Sequence, residues 1–487
     1  MLSSYCIQLK RFLRTFPYSW VSVGLFFNAC ALGPEHSLPI VRSNVPLATP
    51  TMLSSHIQAK AHTISWRNYF TDPRLKTLIE AGLKNNYEVR KAMLNLKAAR
   101  AEYGLDIYHL IPNFHFDGVS KSRTGSFNRT YTQHVIQQGY TSGLGVTRFE
   151  LDIYKKFDQG RAAEHALKAS YYDQVKAKIT LIASIAKKYF MVRTNEELLK
   201  NALKTLAYQK ELYRIQTLRN KAGILSDLEL LKHRTALDRA QAIYLDRKQN
   251  YANSLDEMAI LIGSPLSELQ LPQGTALTTQ FNYLTWPQDI PSEVMLYRPD
   301  IRAMEERLQQ SAAEVRVARA AFFPHIILNG AITAAAPHLS SLFHTGQMHW
   351  DVGSSLSIPV LNIFPNVTNL KLAKIKKEAL ILEYQHAVQQ AFFEVVTALQ
   401  VYQRLDAQYK LAYSVMLNTK KVRDLTRLKF NQGVTDRDEM LDVENQFIQS
   451  QNDFLTRQQI KLFNQVDLYT TLGGGIDEIM PKTTEKN

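Results

Sequence analysis

The sequence predicts a mainly α-helical chain with a β-barrel portion, built from two tandem copies of one unit, and three observations predict it. The first is a spacing of 210 positions that joins Gly223 to Gly433, Glu229 to Glu439, Leu231 to Leu441 and Gly263 to Gly473. The second is that each copy contains two long stretches without glycine or proline. The third is an alternation of apolar and polar residues ahead of those stretches in each copy. A repeat of this size determines how every other segment is interpreted.

Composition places the chain among globular proteins and excludes several classes. Of its 487 residues, 45% are hydrophobic and 21% charged, which is enough to build a core. The net charge is +14, but Lys and Arg are spread through the chain, so we predict solvated helical surfaces and no nucleic-acid binding. The two cysteines, Cys6 and Cys30, lie outside the repeats. A disulfide framework and a Cys-based metal site are therefore not expected.

The N-terminus has the pattern of an export signal. Basic residues precede an apolar run over 16–27, which is too short for a membrane-spanning helix. We predict a signal peptide over 1–29. Cys30 follows the small residue Ala29, which predicts lipoprotein processing with acyl chains on Cys30 that hold the chain to a membrane. The alternative is an incidental cysteine after an ordinary signal peptide, because Phe27 stands where leucine is usual.

Each copy then begins with helices and a hairpin. In the first copy, Asp72-Pro73 predicts a helix start, Asn85-Asn86 a break and Pro112 a stop. Alternation resumes at Phe114 and returns before residue 150, which predicts two strands of about ten residues joined by a polar loop over 121–138. In the second copy the matching segments are a helix over 300–320 and a hairpin around 326–332 and 352–358.

Very long helices follow each hairpin. The runs 161–222 and 224–262 contain neither glycine nor proline, and neither do 366–432 and 434–472. The first run reaches about 90 Å as one helix. Gly223 is a natural helix terminus, and Ser226 or Asp227 would cap the next helix.

The second copy also carries an apolar seam that steps by four and three. Its members are Val388, Phe392, Val395, Leu399, Tyr402, Asp406, Tyr409, Tyr413 and Met416. This spacing predicts helices packed side by side as coiled coils, with a globular helical core as the alternative.

Four strands in the chain limit the possible architectures. Four strands cannot close a barrel, and an open sheet edge is not tolerated in lipid. If the hairpins enter a membrane, three chains would pool twelve strands, and the polar helices would extend from that barrel as a water-filled cylinder.

The chain is accordingly divided into six segments. They are a signal peptide (1–29), an extended N-terminal segment (30–74), a first repeat (75–264), a linker (265–296), a second repeat (297–475) and a tail (476–487).

Several motifs in a fixed order carry a resemblance. They are Cys30-Ala-Leu-Gly-Pro-Glu, Phe70-Thr-Asp-Pro-Arg-Leu75, Phe149-Glu-Leu-Asp-Ile-Tyr154, Tyr297-Arg-Pro-Asp-Ile-Arg302, Ala318-Arg-Ala-Ala-Phe-Phe-Pro324, Pro359-Val-Leu-Asn-Ile-Phe364 and Leu472-Gly-Gly-Gly475. Together they resemble the TolC-like outer-membrane efflux channels, in particular the lipoprotein branch. The resemblance implies a homotrimer with a twelve-stranded barrel in the lipid of the outer membrane and a helical tunnel across the periplasm. It also implies a periplasmic adaptor, an inner-membrane efflux pump, and export of drugs, metals or other small toxic molecules.

The same resemblance implies a gate at the periplasmic end of the tunnel. The matching acids are Glu439 and Asp442, with Glu229 in the corresponding place of the first repeat and Lys232 opposite Asp442 by the repeat spacing. Three chains would bring like carboxylates together, and their repulsion favours cations. The alternative is that these acids are surface charges stabilised by a helix dipole.

Two arginines near these acids are candidates for holding the gate closed. Arg437 and Arg423 carry charges that would pair with carboxylates there, although the sequence does not assign their partners.

No catalytic motif is visible. The 13 histidines occur singly, and Gly473-Gly-Gly475 ends a helix rather than starting one, so we predict neither enzymatic activity nor a cofactor. The main alternative to a channel is a periplasmic coiled-coil scaffold or adaptor that never inserts, and a hydrolase on a helical scaffold is the third. The exported substrate and the identities of the adaptor and pump are not encoded in any visible motif.

Overall fold

A computed structural model describes residues 64–108, 111–127, 134–277, 280, 297–344, 348–357 and 362–474. The predicted signal peptide, Cys30, most of the segment 30–74, most of the linker and the C-terminal tail lie outside the described residues. What the sequence predicts for them stays a prediction.

The described helices follow the order that the repeats predict. They are α1 (Trp66–Tyr69), α2 (Pro73–Asn85), α3 (Tyr87–Tyr108), α4 (Ile153–Lys221), α5 (Asp227–Ile262), α6 (Pro299–Ala320), α7 (Ile363–Asn431) and α8 (Arg437–Thr471). Both α4 and α7 contain 69 residues, and their ends are 210 positions apart. The long helices are therefore confirmed. Helices α4 and α7 begin before the predicted runs, which start at 161 and 366, whereas α5 and α8 begin after the runs that start at 224 and 434.

Local sequence explains where the first helices begin and end. The Asp72 carboxylate accepts a hydrogen bond from the backbone N–H of Arg74 (2.9 Å), so Asp72 caps α2 as predicted. Asn86 makes the predicted break, because its side-chain oxygen accepts from the N–H groups of Glu88 and Val89 at the start of α3. Helix α1 lies inside the segment predicted to be extended, where Trp66 is only 1% exposed. Burial of that indole stabilises a turn that no periodicity indicates.

The two turns that join the long helices, α4 to α5 and α7 to α8, are built in the same way, from a left-handed glycine followed by a side-chain helix cap. Gly223 and Gly433 have φ of 75° and 73°, a left-handed conformation that glycine adopts without strain. Ser226 caps α5 by accepting from the N–H of Glu229, which decides between the two predicted caps. Asp436 caps α8 in the same way, accepting from the N–H of Glu439 (2.9 Å).

The chain forms two compact units, and the first is helical. Its described residues are 64–103, 165–277, 280, 297–307 and 380–474. A core of buried side chains joins the N-terminal helices to α4 and α8. In it, the Tyr69 and Tyr469 rings stack at 4.3 Å, and the Tyr69 hydroxyl donates to the backbone oxygen of Gln465. Burial raises the pKa of Tyr69.

The predicted seam of α7 packs against α8. Phe392 and Val395 are 8% and 7% exposed, whereas Tyr409 lies with its ring 5.4 Å from that of Phe454. The polar member, Asp406, accepts a hydrogen bond from Lys461 on α8 (2.8 Å). Hydrogen bonds from Lys410 and Lys461 lower the pKa of Asp406, so the charge in the seam is compensated.

The second unit, whose described residues lie in 104–164 and 308–379, contains an antiparallel sheet. Its strands are β1 (Phe114–Phe127), β2 (His134–Glu150), β3 (His325–Ala336) and β4 (Met348–Ser357), in that spatial order.

The predicted loop over 121–138 is wrong. The ladder of β1 and β2 continues to the pair Phe127 and His134, so the strands have 14 and 17 residues instead of about ten. This part of the sequence is polar and has no apolar alternation. Backbone hydrogen bonds do not require apolar side chains, so the ladder continues where the hydrophobic pattern has stopped.

Candidate functional site

One face of the sheet is apolar across all four strands. The register aligns Phe116 with Leu144, Leu144 with Ile332, and Ile332 with Trp350. These four side chains are 50–78% exposed in the single chain. An exposed row of this kind is expected where a sheet faces lipid.

The opposite face of the sheet is polar, and glycines occupy two of its positions on β2. The next rows place His115 opposite Gly145 and Asp117 opposite Gly143, and continue to Asp351 and His349 on β4. The His115 Nε2 lies 3.5 Å from a carboxylate oxygen of Asp117.

Two glycines lie in the middle of this polar face, where a side chain would crowd its neighbours. A Cβ on Gly143 would lie 2.7 Å from the Thr333 methyl, and a Cβ on Gly145 would lie 3.2 Å from the His115 ring. Strand β2 therefore contributes no side chain to these two rows. None of the helices in the described part of the chain is long and apolar enough to cross a membrane.

Each predicted gate acid lies near the start of a long helix and is bonded locally. Glu439 accepts a hydrogen bond from the Thr435 hydroxyl. Asp442 accepts from the Gln446 amide at 3.1 Å. Glu229 forms an ion pair with Lys232 at 2.6 Å. The two acids of α8 therefore share one helix start, and the acid of α5 has a cation beside it.

A neighbouring acid, Asp438, makes the contact that sequence reasoning missed. One carboxylate oxygen accepts hydrogen bonds from Arg219, and from the Gln216 amide at 2.9 Å. Both partners lie near the C-terminal end of α4, so this contact joins α4 to the first turn of α8. The repeat comparison contained a signal, since Leu228 occupies the position of Asp438 in the first copy.

The two arginines named from the sequence have defined partners. Arg437 forms an ion pair with Glu211 on α4 at 3.0 Å, which is a second link between α4 and α8. Hydrogen bonds from Arg214 lower the pKa of Glu211. Arg423 pairs with Asp424 at 2.6 Å, and its guanidinium lies 4.3 Å from the centre of the Phe447 ring.

Among the residues that the structure describes, no group of three His, Cys, Asp or Glu side chains is placed to hold a metal ion.

Comparisons with known proteins agree with this arrangement. The sequence profile of the outer membrane efflux protein family matches residues 78–264 and 290–474. The toluene efflux pump outer membrane protein TtgC of Pseudomonas putida is 28% identical, over 92% of this chain and 93% of its own. The cation efflux system protein CusC of Escherichia coli is also 28% identical, over 93% and 98%. The open state of the Neisseria gonorrhoeae MtrE outer membrane channel superposes with a TM-score of 0.80 at 31% identity, over 91% of this chain and 98% of that one.

Proposed function

The chain belongs to the outer membrane efflux protein family, and we propose that it acts as a homotrimeric, passive conduit whose opening is controlled at the turns between its long helices. Membership confirms the predicted resemblance, the fold class of helical tunnel and barrel, and the outer-membrane location. The protein is therefore an outer-membrane channel for tripartite efflux. It docks on a periplasmic adaptor and on an inner-membrane pump that is energised.

The two-faced sheet is the observation that carries the channel function. A wall between lipid and water needs one apolar and one polar face on the same strands, and β1–β4 provide both. A periplasmic scaffold that never inserts has no need of an apolar row. Because β1 and β4 are edge strands in the four-strand order, other copies of the chain must pair with them in lipid. Three copies provide twelve strands.

The gate is assigned to the acids at the start of α8. In a trimer, Glu439 and Asp442 would form rings of like charge near the axis, which attract cations and repel one another. The link between Arg219 and Asp438 would hold α8 against α4 and oppose that repulsion. Glu229 contributes less to the gate, because Lys232 neutralises its charge locally.

Several finer assignments complete the proposal. Cys30 carries the acyl chains, residues 75–264 and 297–475 are the two functional repeats, and the protein has no catalytic activity. The substrate is selected by the pump. Two relatives of equal identity are named for efflux of toluene and of cations, which supports a conduit that does not select its cargo.

Reconstitution of the purified full-length protein in a planar bilayer tests the proposal. We expect a heat-modifiable trimer on gel electrophoresis and discrete single-channel conductance steps with cation preference. A monomer that binds no membrane and gives no conductance would overturn the channel proposal and favour the hypothesis of a periplasmic scaffold. Mass spectrometry of the mature N-terminus tests acylation of Cys30 independently.

A further inference from the structure

The helical unit contains a cleft of about 400 Å³ that the channel function does not use. It lies beside α1, the junction of α2 and α3, and the adjoining stretch of α4. Trp66 and Val89 line it and are 1% and 4% exposed, while Met93 at its rim is 40% exposed. This volume falls within the range of small-molecule sites, and the apolar lining can accept a hydrocarbon group.

Four cations and no acid line the same cleft. They are Arg67, Lys84, Arg90 and Lys178. Arg67 is engaged elsewhere, since it pairs with Glu80 at 3.2 Å and lies over the Trp66 ring. In the described part of the chain, no ion pair or side-chain hydrogen bond is found for the other three. The cleft therefore presents an uncompensated positive charge.

Two polar groups on α4 mark where an anion would lie. Lys178 lines the cleft, and burial lowers its pKa with no carboxylate nearby to offset this effect. Gln174, one turn earlier, also lines the cleft and is only 8% exposed as a residue. A partly desolvated ammonium without a counter-charge costs free energy. A bound anion would supply that counter-charge and could accept a hydrogen bond from the Gln174 amide.

We propose that this cleft binds one anionic amphiphile, a phosphate or carboxylate head with a short apolar chain. The head lies among Lys178, Gln174 and Arg90, and the chain lies against Trp66 and Val89. The charge of the cleft excludes cationic ligands, and its apolar floor favours an amphiphile over a simple anion. An anion beside Lys178 supplies the counter-charge that this partly desolvated ammonium lacks.

Isothermal titration of the full-length trimer in lipid nanodiscs tests the site, with empty nanodiscs as the reference. The probes are octyl phosphate, inorganic phosphate and octanol. We expect saturable binding of one octyl phosphate per chain, about tenfold tighter than either inorganic phosphate or octanol. The double variant Arg90→Gln/Lys178→Gln should bind octyl phosphate about tenfold more weakly. The matched control Lys91→Gln/Lys97→Gln removes two exposed charges of α3 outside the cleft and should bind as the wild type does.

A second variant guards against loss of folding. Met93→Glu places a carboxylate at the rim, where it should compete with the ligand and weaken binding while the trimer stays heat-modifiable. Absence of saturable binding to the wild type overturns the proposal. This result is also expected if a second copy of the chain covers the cleft in the trimer, and it overturns the proposal in that case too. Equal affinity for inorganic phosphate shows a plain anion site, and equal affinity for octanol shows a purely apolar one. Either result also overturns it.

Discussion

The guanidinium of Arg219, near the end of α4, bonds to the carboxylate of Asp438 in the first turn of α8. The Gln216 amide shares that carboxylate oxygen, and the other oxygen, Oδ1, is buried with no partner among the described residues. Helices α4 and α8 are thus joined beside the turns that contain Gly223 and Gly433. Because the side chains are 39% and 25% exposed, the pair is partly screened by water and contributes a modest free energy.

Removing this pair should make the channel easier to open. Asp438→Asn keeps the size of the side chain and removes its charge, so the attraction to Arg219 is lost. The closed state loses about 1 kcal/mol of stabilisation, which raises the ratio of open to closed channels about fivefold. Single-channel open probability in a planar bilayer measures this effect. Asp238→Asn, which breaks the exposed pair between Arg234 and Asp238 on α5, is the control and should leave the probability unchanged. Equal open probabilities for the two variants would show that the pair between Arg219 and Asp438 does not control the gate.

Neutralising the acids of α8 should reduce cation preference. In Glu439→Gln/Asp442→Asn, two carboxylate rings per trimer are lost, so the reversal potential in a salt gradient should shift toward zero. Glu229→Gln should shift it less, because Lys232 already compensates that charge. An unchanged potential in the double variant would identify these acids as helix-start charges stabilised by the dipole. Equal shifts in all variants would contradict the asymmetry between the two repeats.

Much of the helical architecture is predictable from sequence, because breakers and caps act locally. Gly223 and Gly433 end helices where the missing Cβ allows a left-handed residue, and Asp72 starts one where its carboxylate reaches an N–H two residues on. The boundary of β1 was missed for the opposite reason. Strand pairing continues by backbone bonds through polar sequence, so the hydrophobic pattern ends before the strand does.

The candidate site was predictable only to the nearest helical turn. The resemblance located Glu439 and Asp442, but the contacts to α4 are made by the two residues before Glu439. Arg437 pairs with Glu211, and Asp438 accepts from Gln216 and Arg219. Which of three adjacent polar residues face α4 depends on how α8 is rotated against it, and that rotation is set by packing. The comparison of Asp438 with Leu228 is a local signal, since the two copies differ there in charge.

The two faces of the sheet should respond oppositely to the same charge. Trp350→Arg places a cation in the apolar row and should cost about 2–4 kcal/mol per chain in lipid, with loss of heat-modifiable trimer from the outer membrane. Thr333→Arg, on the adjacent strand and the polar face, should leave trimer yield intact and lower cation preference by adding charge to the lumen. Trimer yield in membranes and reversal potential separate the two outcomes. Similar loss of trimer in both would contradict the assignment of the faces.

The motif Tyr297-Arg-Pro-Asp-Ile-Arg302 has a structural role centred on Arg298, which is 8% exposed. Its guanidinium bonds to both oxygens of Asp300 (3.1 and 2.8 Å) and to Glu394 on α7 (2.8 Å). Burial alone would raise the pKa of Asp300, but the hydrogen bonds from Arg298 lower it. Arg298→Met should therefore leave two partly buried carboxylates without their cationic partner and lower the free energy of unfolding by about 3 kcal/mol. Arg302→Gln breaks a more exposed pair within α6 and should cost less than about 1 kcal/mol. Denaturant unfolding of the full-length protein compares them, and equal losses would deny Arg298 its structural role.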